Sequence, residues 1–147
     1  RNYHIFYQLC ECKAEELGLD AGPNGFRYLN RSGCTTAAGI NDRSDFQDLV
    51  GAFSLLDFSD DDVNWIFETC AGLLHLSNVS FIPDGEGSAV NPNNIDNLDA
   101  AAIFLKVDSN KLCNALIQRT IEIRGEINHI LHRVKEAQEA ADALSKA

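Results

Sequence analysis

The sequence contains no methionine, and no apolar run in it approaches the roughly 20 residues that a membrane-spanning helix requires. No basic segment followed by an apolar stretch opens the chain, so no secretory signal peptide is visible. Basic residues are scarce, because 12 lysines and arginines stand against 22 acidic residues, for a formal net charge of -10. Phosphates and anionic lipids bind clustered basic side chains, so this balance argues against nucleic acid and membranes as partners.

The chain is long enough for one domain with a buried core, since 147 residues with 45% hydrophobic content are ordinary for a globular protein. It does not begin with Met, and its last helical pattern, over 137–147, carries no stop signal. We therefore expect an internal fragment of a longer protein. The five cysteines are scattered and odd in number, which predicts buried free thiols in a reducing cytoplasm rather than a disulfide framework.

Sequence motifs of catalytic sites are absent. The sequence has no phosphate-binding loop of the G-x-x-x-x-G-K-[ST] type, no dinucleotide fingerprint and no G-x-S-x-G nucleophile elbow. His129 and His132 are three residues apart, but their stretch begins as a predicted strand and no third ligand is nearby, so we predict no metal site. The residues alone therefore identify no catalytic group, and they leave open whether the fragment belongs to an enzyme.

Apolar residues recur at helical spacing along most of the chain. The pattern predicts helices over 3–17, 42–56, 59–76, 98–107 and 109–117, and a last one from 134 onward. Ser59, with Asp62 three positions later, is typical of a capping box at a helix start. The helix over 59–76 is apolar on much of its circumference, which predicts deep burial.

Strand signals are few and short. Residues 79–82 form one strand candidate, and residues 26–29 are either a strand edge or an anchored turn. Residues 83–97 are rich in Gly, Pro, Asn and Asp, so we expect an exposed loop there. The period changes over 119–130, where Thr120, Glu122 and Arg124 alternate with Ile121, Ile123 and Gly125; this predicts a two-stranded hairpin with Gly125 and Glu126 near its turn. The predicted fold class is mainly α with a few short β strands.

Five motifs, in order over nearly the whole chain, resemble segments of the myosin motor head. They are residues 1–9 (R-N-Y-H-I-F-Y-Q-L), residues 26–30 with 41–46, residues 66–81 (with A-G-L-L-H-L-S-N-V-S-F), residues 119–126 (R-T-I-E-I-R-G-E) and residues 142–147 (D-A-L-S-K-A). The resemblance implies part of the α/β P-loop motor domain, not a complete independent fold. The matched region would be most of the upper 50-kDa subdomain.

The resemblance also implies a function for the longer protein. That protein would be an actin-based motor with actin-activated Mg-ATPase activity, cytoplasmic and associated with the cytoskeleton. Its P-loop, switch I and switch II would lie outside 1–147, so Mg-ATP would be a cofactor of the whole motor and not of this fragment. The fragment would link the nucleotide site to the actin-binding cleft, with F-actin and the remainder of the motor as partners and light chains bound elsewhere. The alternative is a myosin-like filament-binding protein without ATPase activity.

Two segments are the candidate actin-facing elements by the same resemblance. Residues 119–134 resemble the cardiomyopathy loop, and the expected actin-binding residues are Arg119, Thr120, Ile121, Glu122, Ile123, Arg124, Gly125 and Glu126. Glu126 lies 16 residues before Asp142, which is the spacing of the family's TEDS site. An acid there would supply permanently the charge that Ser or Thr gains only from a kinase. Residues 83–97 resemble loop 4, for which we expect a weak or indirect actin contact.

One departure from the family pattern bears on the end of the second segment. The family begins its last helix with P-L-N-V, whereas this chain has Leu131, His132, Arg133 and Val134. The Asn that would cap the helix is lost, and an Arg is a poor substitute because it cannot accept a hydrogen bond. We therefore expect the entry into this helix to differ.

Overall fold

The chain divides into two compact units, Arg1–Leu74 and His75–Ala147, and the computed structural model describes residues 1–146. The helices are α1 (His4–Cys12), α2 (Ala14–Leu17), α3 (Arg27–Asn30), α4 (Asp42–Leu55), α5 (Asp60–Ser77), α6 (Ile95–Phe104), α7 (Ser109–Ile117) and α8 (Val134–Leu144). The strands are β1 (Phe81–Asp84), β2 (Gly87–Val90), β3 (Gln118–Ile123) and β4 (Glu126–Leu131), paired as two separate antiparallel hairpins. The predicted class, mainly α with a few short strands, is confirmed.

The first unit is organised by the packing of α1 against α4. Tyr7 and Leu9 of α1 are fully buried. The Arg1 guanidinium lies 4.0 Å above the Tyr7 ring and 2.6 Å from a carboxylate oxygen of Asp42, in the first turn of α4. This arrangement joins the start of the chain to α4 by an ion pair and a cation–π contact.

One sequence-based prediction in the first unit needs correction. The helix predicted over 3–17 is interrupted at Lys13, whose backbone leaves the α region with φ -131°, so α1 and α2 are separate. Of the two alternatives for residues 26–29, the anchored turn is confirmed, because Arg27–Asn30 is a single helical turn in which Leu29 is buried. The helix ends at Leu17 as predicted, and the φ of 64° at Gly18 is the left-handed geometry that favours glycine.

Helix α5 begins with the predicted capping box. The Ser59 hydroxyl accepts a hydrogen bond from the Asp62 backbone N–H at 3.2 Å, and the Asp62 carboxylate accepts one from the Ser59 N–H at 3.3 Å. The predicted deep burial holds only for the C-terminal half, where Ala71 and Leu74 are fully buried. Trp65, in the N-terminal half, is 58% exposed, so the prediction is wrong there: a helix apolar on most sides is buried only where other elements cover it.

The second unit has its core between α6, α7, α8 and the first hairpin (β1–β2). Its buried members are Leu76, Val79, Phe81, Leu98, Ala101, Ala102, Leu112, Leu116, Ala137 and Ala141. Helices α7 and α8 pack against each other, and small alanine side chains allow such close approach. The second hairpin (β3–β4) follows α7 directly and precedes α8, so both of its ends are held by this core. Within residues 1–146, no helix is both long and apolar enough to cross a membrane.

The exposed loop predicted over 83–97 is largely regular structure. Strands β1 and β2 pair from Phe81 with Val90 to Asp84 with Gly87, which leaves a two-residue turn between them. Gly85, the first turn residue, has φ 54°, as such tight turns require. The Gly-rich composition that indicated a loop is therefore the composition of a hairpin turn, and the rest of the segment forms a short 3₁₀ turn, Pro92–Asn94, and the start of α6.

Candidate functional site

The second hairpin carries all eight residues that the sequence singled out. Its strands pair antiparallel from Gln118 with Leu131 to Ile123 with Glu126, so the two turn residues are Arg124 and Gly125. Both turn residues have positive φ, 53° and 83°, which is the geometry of a type I′ turn. The predicted hairpin is confirmed, with Gly125 in its turn and Glu126, the first residue of β4, directly beside the turn.

The eight candidate residues are divided between the two faces of the hairpin. Directly opposed residues share a face, and successive residues alternate. One face carries Arg119, Ile121, Ile123, Glu126, Asn128 and Ile130, and the other carries Gln118, Thr120, Glu122, Ile127, His129 and Leu131. Thr120 and Glu122 therefore lie on the face opposite to Glu126, and the eight residues do not form one continuous surface.

Exposed apolar side chains occur on both faces. Ile121 is half-buried, whereas the other seven candidate residues are exposed. On β4, outside the candidate set, Ile127 is 68% exposed, and Ile130 and Leu131 are exposed as well. Clustered exposed apolar side chains mark an interaction surface more often than isolated ones do. The sequence already predicted a hairpin over 119–130, and in a hairpin each residue of β4 lies opposite a residue of β3. That pairing is the signal by which Ile127 and Ile130 could have been added to the candidate set.

The base of the second hairpin is fixed by His132, the residue after β4. Its backbone N–H donates to the Ile117 carbonyl at 2.7 Å, and its ring Nδ1 lies 2.8 Å from the Leu116 carbonyl oxygen, so Nδ1 carries the hydrogen. Its own carbonyl oxygen accepts a hydrogen bond from the Ser88 hydroxyl of β2 at 2.8 Å. Three hydrogen bonds thus join one residue to the end of α7 and to the first hairpin.

The side chains of His129 and His132 have different hydrogen-bond partners and do not form a pair of metal ligands. His129 lies on β4 with its Nδ1 3.2 Å from the Thr120 hydroxyl, whereas the His132 ring is bonded to the Leu116 carbonyl. Among residues 1–146, no group of three His, Cys, Asp or Glu side chains is arranged to hold a metal ion.

The entry into α8 is capped from within the helix. In place of an Asn cap, the Glu136 carboxylate accepts a hydrogen bond from the Arg133 backbone N–H at 2.8 Å. This is half of a capping box, supplied from inside the helix. The junction of β4 and α8, together with the Gly85–Gly87 turn region, borders an open cleft of about 960 Å³.

The comparison with known proteins decides the family. The model of the myosin head (motor domain) matches residues 1–147. The chain belongs to the myosin head family.

Curated myosins match over the full length of the chain. It is 38% identical to "Unconventional myosin-Ic" of Aquarana catesbeiana over 153 residues, 33% identical to "Myosin-1" of Vanderwaltozyma polyspora over 156, and 34% identical to "Unconventional myosin-Ih" of Homo sapiens over 151. Each match covers 100% of this chain but only 15%, 13% and 14% of the respective relative. The chain is therefore similar to about one seventh of each of these myosins.

Family membership confirms the resemblance drawn from the sequence motifs. The finer assignments, which are the upper 50-kDa subdomain, the loop 4-like segment 83–97, the cardiomyopathy-loop-like segment 119–134 and the eight candidate residues, stay predictions. The second hairpin carries exposed apolar and charged side chains, and it is connected at its two ends to α7 and α8.

Proposed function

We propose that this chain is part of an actin-based, ATP-driven motor and that it links the nucleotide site to the actin-binding cleft. In this proposal the second hairpin contacts the filament, and the rest of the second unit holds it in place. The observation that carries the proposal is that apolar side chains are exposed on the second hairpin, while His132 at its base is hydrogen-bonded to α7 and to β2. Mg-ATP would bind elsewhere in the motor, because the sequence of this chain has no phosphate-binding loop.

The hairpin suits a protein partner on physical grounds. A two-stranded hairpin alone is marginally stable, and isoleucines on both of its faces are left without a core. Covering one exposed isoleucine by a partner contributes about 1.5–3 kcal/mol when its burial is complete. Two arginines, Arg119 near the start of β3 and Arg124 in the turn after it, add charged groups that suit the rim of an interface.

Glu126 has the role of a permanent negative charge in this proposal. It lies at the start of β4, exposed, beside the turn and opposite Ile123. Its charge is therefore at the tip of the hairpin, where a partner would approach first. Exposed charges of this kind influence the association rate and the salt dependence of binding more than the final affinity.

The test compares two exposed isoleucines in the full-length motor that contains this chain. Ile127 on β4 is 68% exposed and Ile103 on α6 is 70% exposed, so Ile103→Ala is a matched control for Ile127→Ala. We expect Ile127→Ala to weaken cosedimentation with F-actin by about 5- to 30-fold, as for an anchor at an interface, with basal ATP turnover unchanged. Ile103→Ala should bind like the unmodified motor. Equal affinities for both variants and the unmodified motor would reject the hairpin as the contact.

The same experiment separates the motor from the filament binder. Filament binding that depends on Ile127, together with ATP turnover that rises with F-actin, supports the motor. Binding that depends on Ile127 in a protein without any ATP turnover supports the alternative, a myosin-like filament-binding protein.

A further inference from the structure

The first and second hairpins are joined by contacts that the proposed function does not use. The Ser88 hydroxyl of β2 donates to the His132 carbonyl oxygen at 2.8 Å, and Ser88 is only 7% exposed. The hydrogen bond spans 44 positions of sequence, so it connects elements that are distant along the chain. Because a buried carbonyl left without its donor is destabilising, this contact favours one position of β2 against the base of β4.

A second contact beside it disfavours any side chain at position 87, because neighbouring atoms would have to shift. A Cβ atom built on Gly87 would lie 2.9 Å from the Leu131 Cβ and 3.5 Å from the His132 carbonyl oxygen. Distances this short occur only when two backbones approach closely. Gly87 and Ser88 therefore bring the end of the first hairpin into direct contact with the last residue of β4 and the residue after it.

His132 extends this connection to α7. Its backbone N–H and ring Nδ1–H both donate to carbonyls at the end of that helix, those of Ile117 and Leu116. The carbonyls in the last turn of a helix have no partner within the helix, so the two bonds also satisfy groups that would otherwise need water. His132 thus bonds both to α7 and to β2 at the base of β4.

We propose that Ser88 and His132 are positioning residues that hold the two hairpins as a single filament-facing body. This inference rests on the proposed function, since it assigns the first hairpin the task of fixing the orientation of the second. The Ser88–His132 bond limits the angle at which β4 leaves the core, and the residues beyond it, Glu126 and Ile127, meet the filament in one orientation. Loss of the bond lets the hairpin sample other orientations, in which the filament is bound more weakly and without the full Ile127 contact. Filament affinity therefore falls as these orientations become populated.

The test measures F-actin affinity of the full-length motor in a double-mutant cycle of Ser88→Ala with Ile127→Ala. We expect Ser88→Ala alone to raise the dissociation constant by about 2- to 10-fold, the range that corresponds to one hydrogen bond. Ser88→Thr keeps the hydroxyl and should restore the original affinity. In the Ser88→Ala background the effect of Ile127→Ala should shrink, because a misoriented hairpin already loses part of that contact. Amide exchange at 129–132 should be faster in Ser88→Ala.

The control is Ser80→Ala, which removes a hydroxyl that donates to the Asn94 side chain and accepts from the Asn91 side chain in the same unit. Its filament affinity should match that of the unmodified motor. Strictly additive effects of Ser88→Ala and Ile127→Ala, or equal losses in Ser88→Ala and Ser80→Ala, would overturn the positioning role while leaving the proposed function intact. If Ile127→Ala alone has no effect, the proposed function fails first, and this inference fails with it.

Discussion

Ile123 and Glu126 lie directly opposite each other at the tip of the second hairpin, with only Arg124 and Gly125 between them. They share one face, so an exposed apolar side chain and a carboxylate are presented side by side. Glu126 is therefore held by strand pairing and does not belong to the turn itself. Strand pairing fixes the face of the hairpin on which the Glu126 carboxylate lies. Replacing this residue should therefore change binding without altering the fold.

Reversal of the charge at Glu126 is the first prediction. In the full-length motor, Glu126→Lys should raise the F-actin concentration needed for half-maximal ATP turnover by about 3- to 10-fold, since exposed charges each contribute about 0.2–1 kcal/mol. Basal turnover should change little, because the sequence of this chain carries no nucleotide-binding motif. Steady-state ATP turnover over a titration of F-actin measures both quantities.

Two further variants test whether the charge itself matters. Glu126→Ser should behave like the reversal in direction, and phosphorylation of the new serine should restore actin activation, because it returns a negative charge to the same place. Glu15→Lys, at an exposed position in the first unit, is the matched reversal and should have no effect on activation. Unchanged actin activation in Glu126→Lys would contradict the assignment.

Arg124 is predicted to lower the stability of the turn, because of its positive φ, while its charge strengthens F-actin binding. A residue with a side chain is disfavoured at positive φ by about 1–2 kcal/mol, and Asn tolerates this geometry far better. Arg124→Asn should therefore slow amide exchange at Ile123 and Glu126, yet weaken F-actin binding because a cation is lost from the tip. Arg124→Lys keeps both the charge and the strained φ, so it should bind like the unmodified motor. Faster exchange in Arg124→Asn would show that the turn does not limit stability.

The two hairpins show why sequence patterns predicted the second hairpin and only one strand of the first. Over 120–123, in β3, polar and apolar residues alternate, and this alternation is the signal of a half-exposed sheet. Over 81–90 the strands are four residues each and contain Pro83, Gly87 and Ser88, which are poor strand formers. Gly87 and Ser88 of β2 also contact Leu131 and His132. These contacts are distant in sequence, so the local pattern over 81–90 could not predict them.

The division of the candidate site between faces has a similar cause. The prediction placed Gly125 and Glu126 near the turn without fixing the register, and the register decides which residues of β4 lie opposite those of β3. Residue type alone does not fix it, because a turn at Arg124 and Gly125 and a turn at Gly125 and Glu126 both contain the glycine. The structure decides it, and it thereby adds Ile127 to the side chains that can contact a partner.

A pair of glycine substitutions tests the contact at the base of the second hairpin. Gly87→Ala places a Cβ 2.9 Å from the Leu131 Cβ, so the second unit should lose about 1–3 kcal/mol of stability as the neighbours shift. Gly51→Ala, inside α4, meets no atom within 4 Å and should stabilise its helix by about 0.5–1 kcal/mol. Amide exchange across the full-length motor reports each effect in its own segment. Slower exchange at 129–132 in Gly87→Ala would contradict the packing.

Cys10 and Cys34 are predicted to differ in reactivity. Cys34 is exposed, whereas Cys10 is buried in α1. Burial, and to a lesser extent the negative charge of Asp42, raises the pKa of the Cys10 thiol from 9.0 to about 12. Since the thiolate is the reactive form, alkylation at pH 8 should modify Cys34 quickly and Cys10 only after unfolding. Mass spectrometry of tryptic peptides measures both, and Cys34→Ser should abolish the fast adduct. Fast modification of Cys10 in the folded protein would contradict its burial.

The raised pKa of Cys10 also predicts a loss of stability at alkaline pH. In the unfolded chain this thiol ionises near its ordinary pKa of 9.0, whereas in the folded protein it stays neutral until about pH 12. The unfolded state therefore releases a proton that the folded state retains, so the free energy of unfolding falls as the pH rises from 9 towards 12. Cys10→Ala removes the titrating group, and its thermal midpoint should fall less between pH 8 and pH 10 than that of the unmodified motor. Cys34→Ala should leave the slope unchanged. Identical slopes for Cys10→Ala and the unmodified protein would mean that other groups govern alkaline unfolding.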